Sequence, residues 1–116
     1  MSDVFLERIH QNLAQSRAQF LEVFKGFNLR CESGAPFAWL ELPEEWRGRR
    51  LASALRTRRI AITPGSSFDL ADQNNAPRHV RISFSGPQIE WQPRAVFEEI
   101  RSVIEAGEDD VFRPVA

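Results

Sequence analysis

The sequence is poor in the residues from which active centres are most often built: among 116 residues there are one cysteine (Cys31), one lysine (Lys25), two histidines (His10 and His79) and no tyrosine. A single cysteine cannot close an internal disulfide, so nothing points to an oxidising compartment. Cys31 alternates with polar neighbours on an extended segment, where a free cysteine behaves as a small hydrophobe. Nucleophilic catalysis needs a nucleophile held beside a base, and no such pair is visible. His10 reads as an exposed helix residue, and His79 precedes a strand. No two Cys or His residues stand at metal-ligand spacing. Asp69 and Asp72 share one segment but lack the glycine-flanked, oxygen-rich loop of a calcium site. There is no glycine-rich phosphate loop. No run approaches the roughly 20 apolar residues of a membrane span, and the acidic N-terminal residues Asp3 and Glu7 do not suit a signal peptide. A soluble, cytoplasmic chain is the expectation, and a self-contained enzyme is disfavoured.

What the chain does have is the makeup of an ordinary globular domain, with 42% hydrophobic and 27% charged residues and a net charge of -1. Its length suits one domain, expected over residues 1–107 with a frayed tail at 108–116. Of its 15 basic residues, fourteen are arginine. Six of them (Arg47, Arg49, Arg50, Arg56, Arg58 and Arg59) fall close together. Such a run can contact phosphate backbones, but aromatic residues do not interleave with it as a single-strand binder would require. A solvated helix face or a partner surface explains the cluster more simply. The pairs Glu44-Glu45 and Glu98-Glu99 read the same way.

The pattern along the chain is α-β-β-α-β-β-α. Leu6, Ile9, Leu13, Phe20 and Phe24 recur at helical spacing over 3–25, with Ser2 or Asp3 as cap and Gly26 as stop. Residues 27–32 alternate as a strand, with Phe27, Leu29 and Cys31 on one side. After the turn Ser33-Gly34-Ala35-Pro36, residues 37–42 form the clearest strand. It sets Phe37, Trp39 and Glu41 against Ala38, Leu40 and Leu42, and its mixed faces suggest an interior position. A helix over about 49–58 carries Leu51, Ala52 and Leu55. A short strand follows at 60–63, closed by Pro64-Gly65, and then a polar loop at 66–77. Val80, Ile82 and Phe84 alternate with Arg81, Ser83 and Ser85 up to Gly86-Pro87. A last helix over 93–106 turns Val96, Ile100, Val103 and Ile104 inward and stops at Gly107. The predicted class is α+β: a mixed or antiparallel sheet of about four strands with helices packed on it.

Three of these pieces, in this order, resemble one family. Gly34-Ala35-Pro36-Phe37-Ala38-Trp39-Leu40-Glu41-Leu42-Pro43 is similar to the segment that leads into the small domain's sheet in aminotransferases of fold type I, which depend on pyridoxal phosphate. Ile60-Ala61-Ile62-Thr63-Pro64-Gly65-Ser66-Ser67-Phe68 resembles the family's strand followed by Pro-Gly-x-x-Phe. Arg78-His79-Val80-Arg81-Ile82-Ser83-Phe84-Ser85 resembles its apolar-Arg-apolar-Ser-Phe strand. The resemblance spans about residues 1–107. It leans toward aromatic or broad-specificity enzymes and toward the aminotransferase-like domain of GntR-type transcription regulators.

The resemblance implies a role for Arg81. In the family, the arginine of this strand binds the α-carboxylate of the amino-acid or 2-oxo-acid substrate, and Ser83, on the same side of the strand, would support it. A planar guanidinium suits bidentate pairing with a carboxylate. The resemblance also implies what is missing. The Schiff-base lysine, the aspartate on the pyridine nitrogen and the phosphate cup all belong to the family's large domain. Lys25 has no matching context. The chain alone is therefore expected to bind no cofactor. Pyridoxal phosphate would sit in a parent enzyme, with the large domain as partner in cis or in trans. The family's second glycine is replaced by Ala35-Pro36, which stiffens that turn.

The rival reading is a free-standing, non-enzymatic interaction module derived from the same domain, whose former active-site face or arginine cluster contacts other proteins. Homodimer formation fits either reading. Nucleic-acid binding through the arginine-rich helix is the third.

Overall fold

The computed structural model describes residues 3–32, 34–65, 78–84 and 92–112, with side chains at all of these except 3–6 and 8–10. Expectations for Ser2, for the side chains of Asp3, Leu6, Ile9 and His10, for Phe68, for the 66–77 loop, and for Ser85 and Gly86-Pro87 lie outside the described residues.

The elements in chain order are α1 (Asp3–Val23), β1 (Leu29–Arg30), β2 (Phe37–Glu41), α2 (Gly48–Arg56), β3 (Thr63–Pro64), β4 (His79–Ser83), α3 (Pro93–Ala106) and α4 (Glu108–Val111). The strands form one sheet in the order β1-β2-β4-β3, antiparallel at every pairing. The class is α+β, as the pattern predicts. β2 occupies an interior position and pairs along its whole length with β4.

One side of the sheet is sealed by helices. Ala38 and Leu40 of β2 and Val80 and Ile82 of β4 share a single buried cluster with Phe20 and Phe24 of α1 and its end, Leu51 and Leu55 of α2, and Phe97, Ile100 and Ile104 of α3. Phe20 is its centre. Its ring lies 4.7 Å from Phe24, 5.2 Å from Phe84 and 5.4 Å edge-on from Phe97. Offset and edge-on arrangements of this kind add to the stabilisation from area burial. The inward face of α3 is centred on Phe97, three residues before Ile100, while Val96 is only half-buried. The spacing identifies the right stripe, with Val96 packed against the cluster, and omits the fully buried Phe97 beside it.

Trp46 is fully buried although it lies in the turn before α2. Its indole N–H donates to the Ile104 carbonyl at 2.9 Å, near the end of α3. A buried indole needs such an acceptor, and this bond ties the turn to the last turn of α3. α2 then approaches the sheet closely at Gly48. A side chain there would meet the His79 carbonyl oxygen at 3.0 Å and Val80 Cγ1 at 3.1 Å.

Two helix ends are closed in ways the sequence did not announce. After α2, the Ile60 N–H bonds to the Leu55 carbonyl and Arg59 takes φ 62°. This is the six-to-one closure usually built on glycine, here made by an arginine. At the end of α1, the Arg101 guanidinium from α3 donates to the Val23 carbonyl and lies 5.2 Å over the Phe27 ring. A cation at a helix C-terminus satisfies an orphan carbonyl and complements the helix dipole.

Two expectations are corrected. The strand over 60–63 pairs only at Thr63–Pro64, because Ile60 is engaged in closing α2. The start of the tail, expected to be frayed, forms α4. Gly107 (φ 90°) turns the chain, three acidic residues occupy the first turn, where the dipole favours them, and Glu108 pairs with Arg50 at 2.7 Å. Arg50 also lies 4.1 Å over the Phe112 ring, which meets Trp46 at 6.4 Å.

Candidate functional site

The pleat of a strand sends alternate side chains to opposite faces. The alternation that seals Ala38, Leu40, Val80 and Ile82 under the helices therefore sends Phe37, Trp39, Glu41, His79, Arg81 and Ser83 to the other face. Burial follows this division: β2 alternates half-buried and buried, and β4 does the same until the exposed Ser83. Neither Phe37 nor Trp39 joins the cluster under the helices.

Register fixes who stands beside whom. Directly opposed residues in an antiparallel pair share a face. Arg81 stands opposite Trp39 on β2 and opposite Thr63 on β3. Trp39 in turn stands opposite Arg30 on β1. A single row, Arg30–Trp39–Arg81–Thr63, thus crosses all four strands. Ser83 is opposite Phe37, and His79 is opposite Glu41.

Arg81 is held at the middle of this face by paired backbone on both sides, and its guanidinium lies 4.8 Å over the Phe37 ring. Stacking of a guanidinium on an aromatic face fixes the tilt of the fork. The nearby carboxylate, Glu41, accepts from the Asn28 amide and pairs with Arg78 at 3.6 Å. Arg81 and Ser83 do share one face, as the strand pattern predicts, with Ser83 two residues along and exposed. The aromatic members, Phe37 and Trp39, were placed on one face of their own strand by sequence. Only the register brings them to Arg81.

The other sequence candidates fall elsewhere. Cys31 is half-buried against the core, with the Arg17 guanidinium 3.1 Å from its sulfur. The arginine cluster is largely engaged in structure: Arg58 binds Glu99 at 2.8 Å, Arg50 binds Glu108, and Arg47 donates to the Glu44 carbonyl at 3.3 Å. Lys25 is exposed in the turn that closes α1, on the helical side of the molecule. It follows a helix rather than lying on the strands that carry Arg81, and among the described residues there is no other lysine to form a Schiff base. Among the described residues no helix is long and apolar enough to cross a membrane, and no group of three or more His, Cys, Asp or Glu side chains could hold a metal ion.

No family model matches the chain. In sequence it is 24% identical over 106 residues to an aspartate aminotransferase of Thermococcus kodakarensis, a match that covers 91% of this chain and 27% of that protein. In structure it is similar to the crystal structure of an aspartate aminotransferase from Rhodobacter sphaeroides, with a TM-score of 0.69 and 21% identity, over 87% of this chain and 25% of that one. The chain thus spans about a quarter of the length of the aminotransferases it resembles.

Proposed function

We propose that this chain acts as the small domain of a pyridoxal-phosphate-dependent aminotransferase, presenting Arg81 to the α-carboxylate of an amino-acid or 2-oxo-acid substrate. The observation that carries this reading is the two-sidedness of the sheet. Helices cover one face, while the other holds an aromatic-backed arginine at its centre. The similarity to about a quarter of two aspartate aminotransferases supports it.

In this reading the cofactor belongs to a separate large domain, in cis or in trans, as the resemblance implies. Pyridoxal phosphate supplies an electron sink for chemistry at the substrate's α-carbon. The contribution of this chain is binding and orientation. The guanidinium of Arg81 grips the carboxylate in its plane, Phe37 limits the tilt of the fork, and Ser83 lies two residues along to assist. In open water such a pair is worth only about 0–1 kcal/mol. Closure of a second domain removes that water, and a desolvated charge pair then contributes far more to binding. The small domain would therefore also work as a lid.

The decisive measurement is steady-state kinetics of the enzyme carrying this domain with Arg81→Gln. Loss of a buried carboxylate partner predicts a fall in kcat/KM of roughly 100-fold, with KM for the amino acid raised. Unchanged kinetics would remove Arg81 from the site.

A second reading is favoured by Phe37 and Trp39, two large, half-buried rings on the face of the sheet away from the helical core. They suit a protein-protein contact, with the chain working as a non-enzymatic module that associates with itself or another protein. A chain that remains monomeric by light scattering at all concentrations would count against self-association.

A further inference from the structure

Residues 47–59 hold six arginines and no acidic residue, and the structure divides these arginines into two sets. Arg47, Arg50 and Arg58 are engaged at the Glu44 carbonyl, Glu108 and Glu99. Arg49, Arg56 and Arg59 are exposed and, among the described residues, have no carboxylate partner. α2 turns Leu51 and Leu55 into the core. That leaves Arg49, Ser53 and Arg56, at i, i+4 and i+7, together on its outer face. This surface lies on the outside of the helical layer, across the sheet from Arg81, so a ligand there is independent of the role proposed for Arg81.

The Cα atoms of Arg49 and Arg56 stand two turns apart, about 10 Å along the axis, roughly the rise of three phosphates on one strand of a duplex. Arg59 follows in the turn that closes the helix. Its φ of 62° is one that glycine takes without strain, so its guanidinium is carried there at some cost in stability. Every exposed side chain from Arg49 to Arg59 is an arginine, a serine or a threonine. A protein partner favours an apolar centre to its contact, and a single-stranded nucleic acid favours rings on which bases stack. A polar, cationic surface with neither matches the composition of a contact to duplex phosphates. The Thr57 hydroxyl is taken by the Ala54 carbonyl at 2.7 Å, which leaves Ser53 alone among the exposed hydroxyls to meet the 2′-hydroxyls by which RNA duplexes are recognised. The chain's net charge is -1, so the attraction belongs to this patch and not to the molecule as a whole.

We infer that the outer face of α2 and the turn after it bind the phosphate backbone of double-stranded DNA through Arg49, Arg56 and Arg59, without reading its sequence. The test is fluorescence anisotropy of a short labelled DNA duplex titrated with the full chain over a series of salt concentrations. Three neutralised phosphates predict a logarithmic salt slope of about -3. Arg49→Gln and Arg56→Gln should each weaken binding several-fold at low salt and bring the slope closer to zero by about one. The triple variant that adds Arg59→Gln should not bind. Arg94→Gln, which removes a cation from α3, should change neither affinity nor slope. The three replaced side chains are exposed, and an unaltered near-ultraviolet circular dichroism spectrum verifies that each variant is folded. No binding by the unaltered chain at low salt overturns the inference, as do single variants that bind with unchanged affinity and slope. Competition by polyglutamate as effective as by unlabelled DNA of equal charge would replace DNA with an acidic protein as the partner. Tighter binding of an RNA duplex would overturn the choice of DNA.

Discussion

The two faces of the sheet are made from the same two strands, yet they obey different rules. On the helical face, Ala38, Leu40, Val80 and Ile82 are at most 1% exposed and meet aromatic and aliphatic side chains from three helices. On the other face, Phe37, Trp39, His79 and Arg81 are half-buried and polar groups stand among rings. The first face holds the molecule together. Among the described residues no helix covers the second, where aromatic and charged side chains stand together. A sheet that needed only to fold would expose short polar residues there.

This contrast can be broken or sharpened by substitution, beginning with the largest expected effect. Trp46→Ala removes a fully buried ring and strands the Ile104 carbonyl. Denaturant unfolding should show a loss of about 3–5 kcal/mol. Gly48→Ala pushes a methyl against the His79 carbonyl and Val80, and about 1–2 kcal/mol should be lost as α2 shifts off the sheet. Trp39→Ser, on the open face, should cost no more than about 1 kcal/mol despite the size of the ring removed; a loss as large as that for Trp46 would show that the open face is part of the core after all. Arg59→Gly should raise stability by about 0.5 kcal/mol, because glycine adopts positive φ without strain. Arg81→Gln should leave the unfolding midpoint nearly unmoved, within about 0.5 kcal/mol, while removing carboxylate recognition. That separation of stability from binding is the sharpest statement of the difference between the faces.

Much of this was legible in the sequence, and what was legible had a periodic signature. Phe20 and Phe24 on α1, the 93–106 extent of α3, and the alternation of both central strands all follow from residues repeating at the period of their element. Arg81 was found by resemblance to a known strand, not by periodicity. What escaped depends on partners distant in the chain. Trp46 sits in a turn with no repeat, and only the Ile104 carbonyl, 58 residues away, gives its indole a reason to be inside. Residues Glu108, Asp109 and Asp110 look like a solvated tail until Arg50 and the turn at Gly107 are in place. The placement of Arg30 beside Trp39, and of Trp39 beside Arg81, is a matter of register, which no single strand encodes.

The strand order β1-β2-β4-β3 has a consequence for how the chain is made. As the ribosome releases β2, its only available sheet neighbour is the short β1, since the strand that covers its full length is encoded some forty residues later. The last of the rings around Phe20 comes later still, Phe97 on α3. Domain completion therefore awaits α3, and until then the apolar side of β2 is only partly covered. A nascent chain halted before α3 emerges should be a target for chaperones and proteases, whereas one extended past Ile104 can close at once.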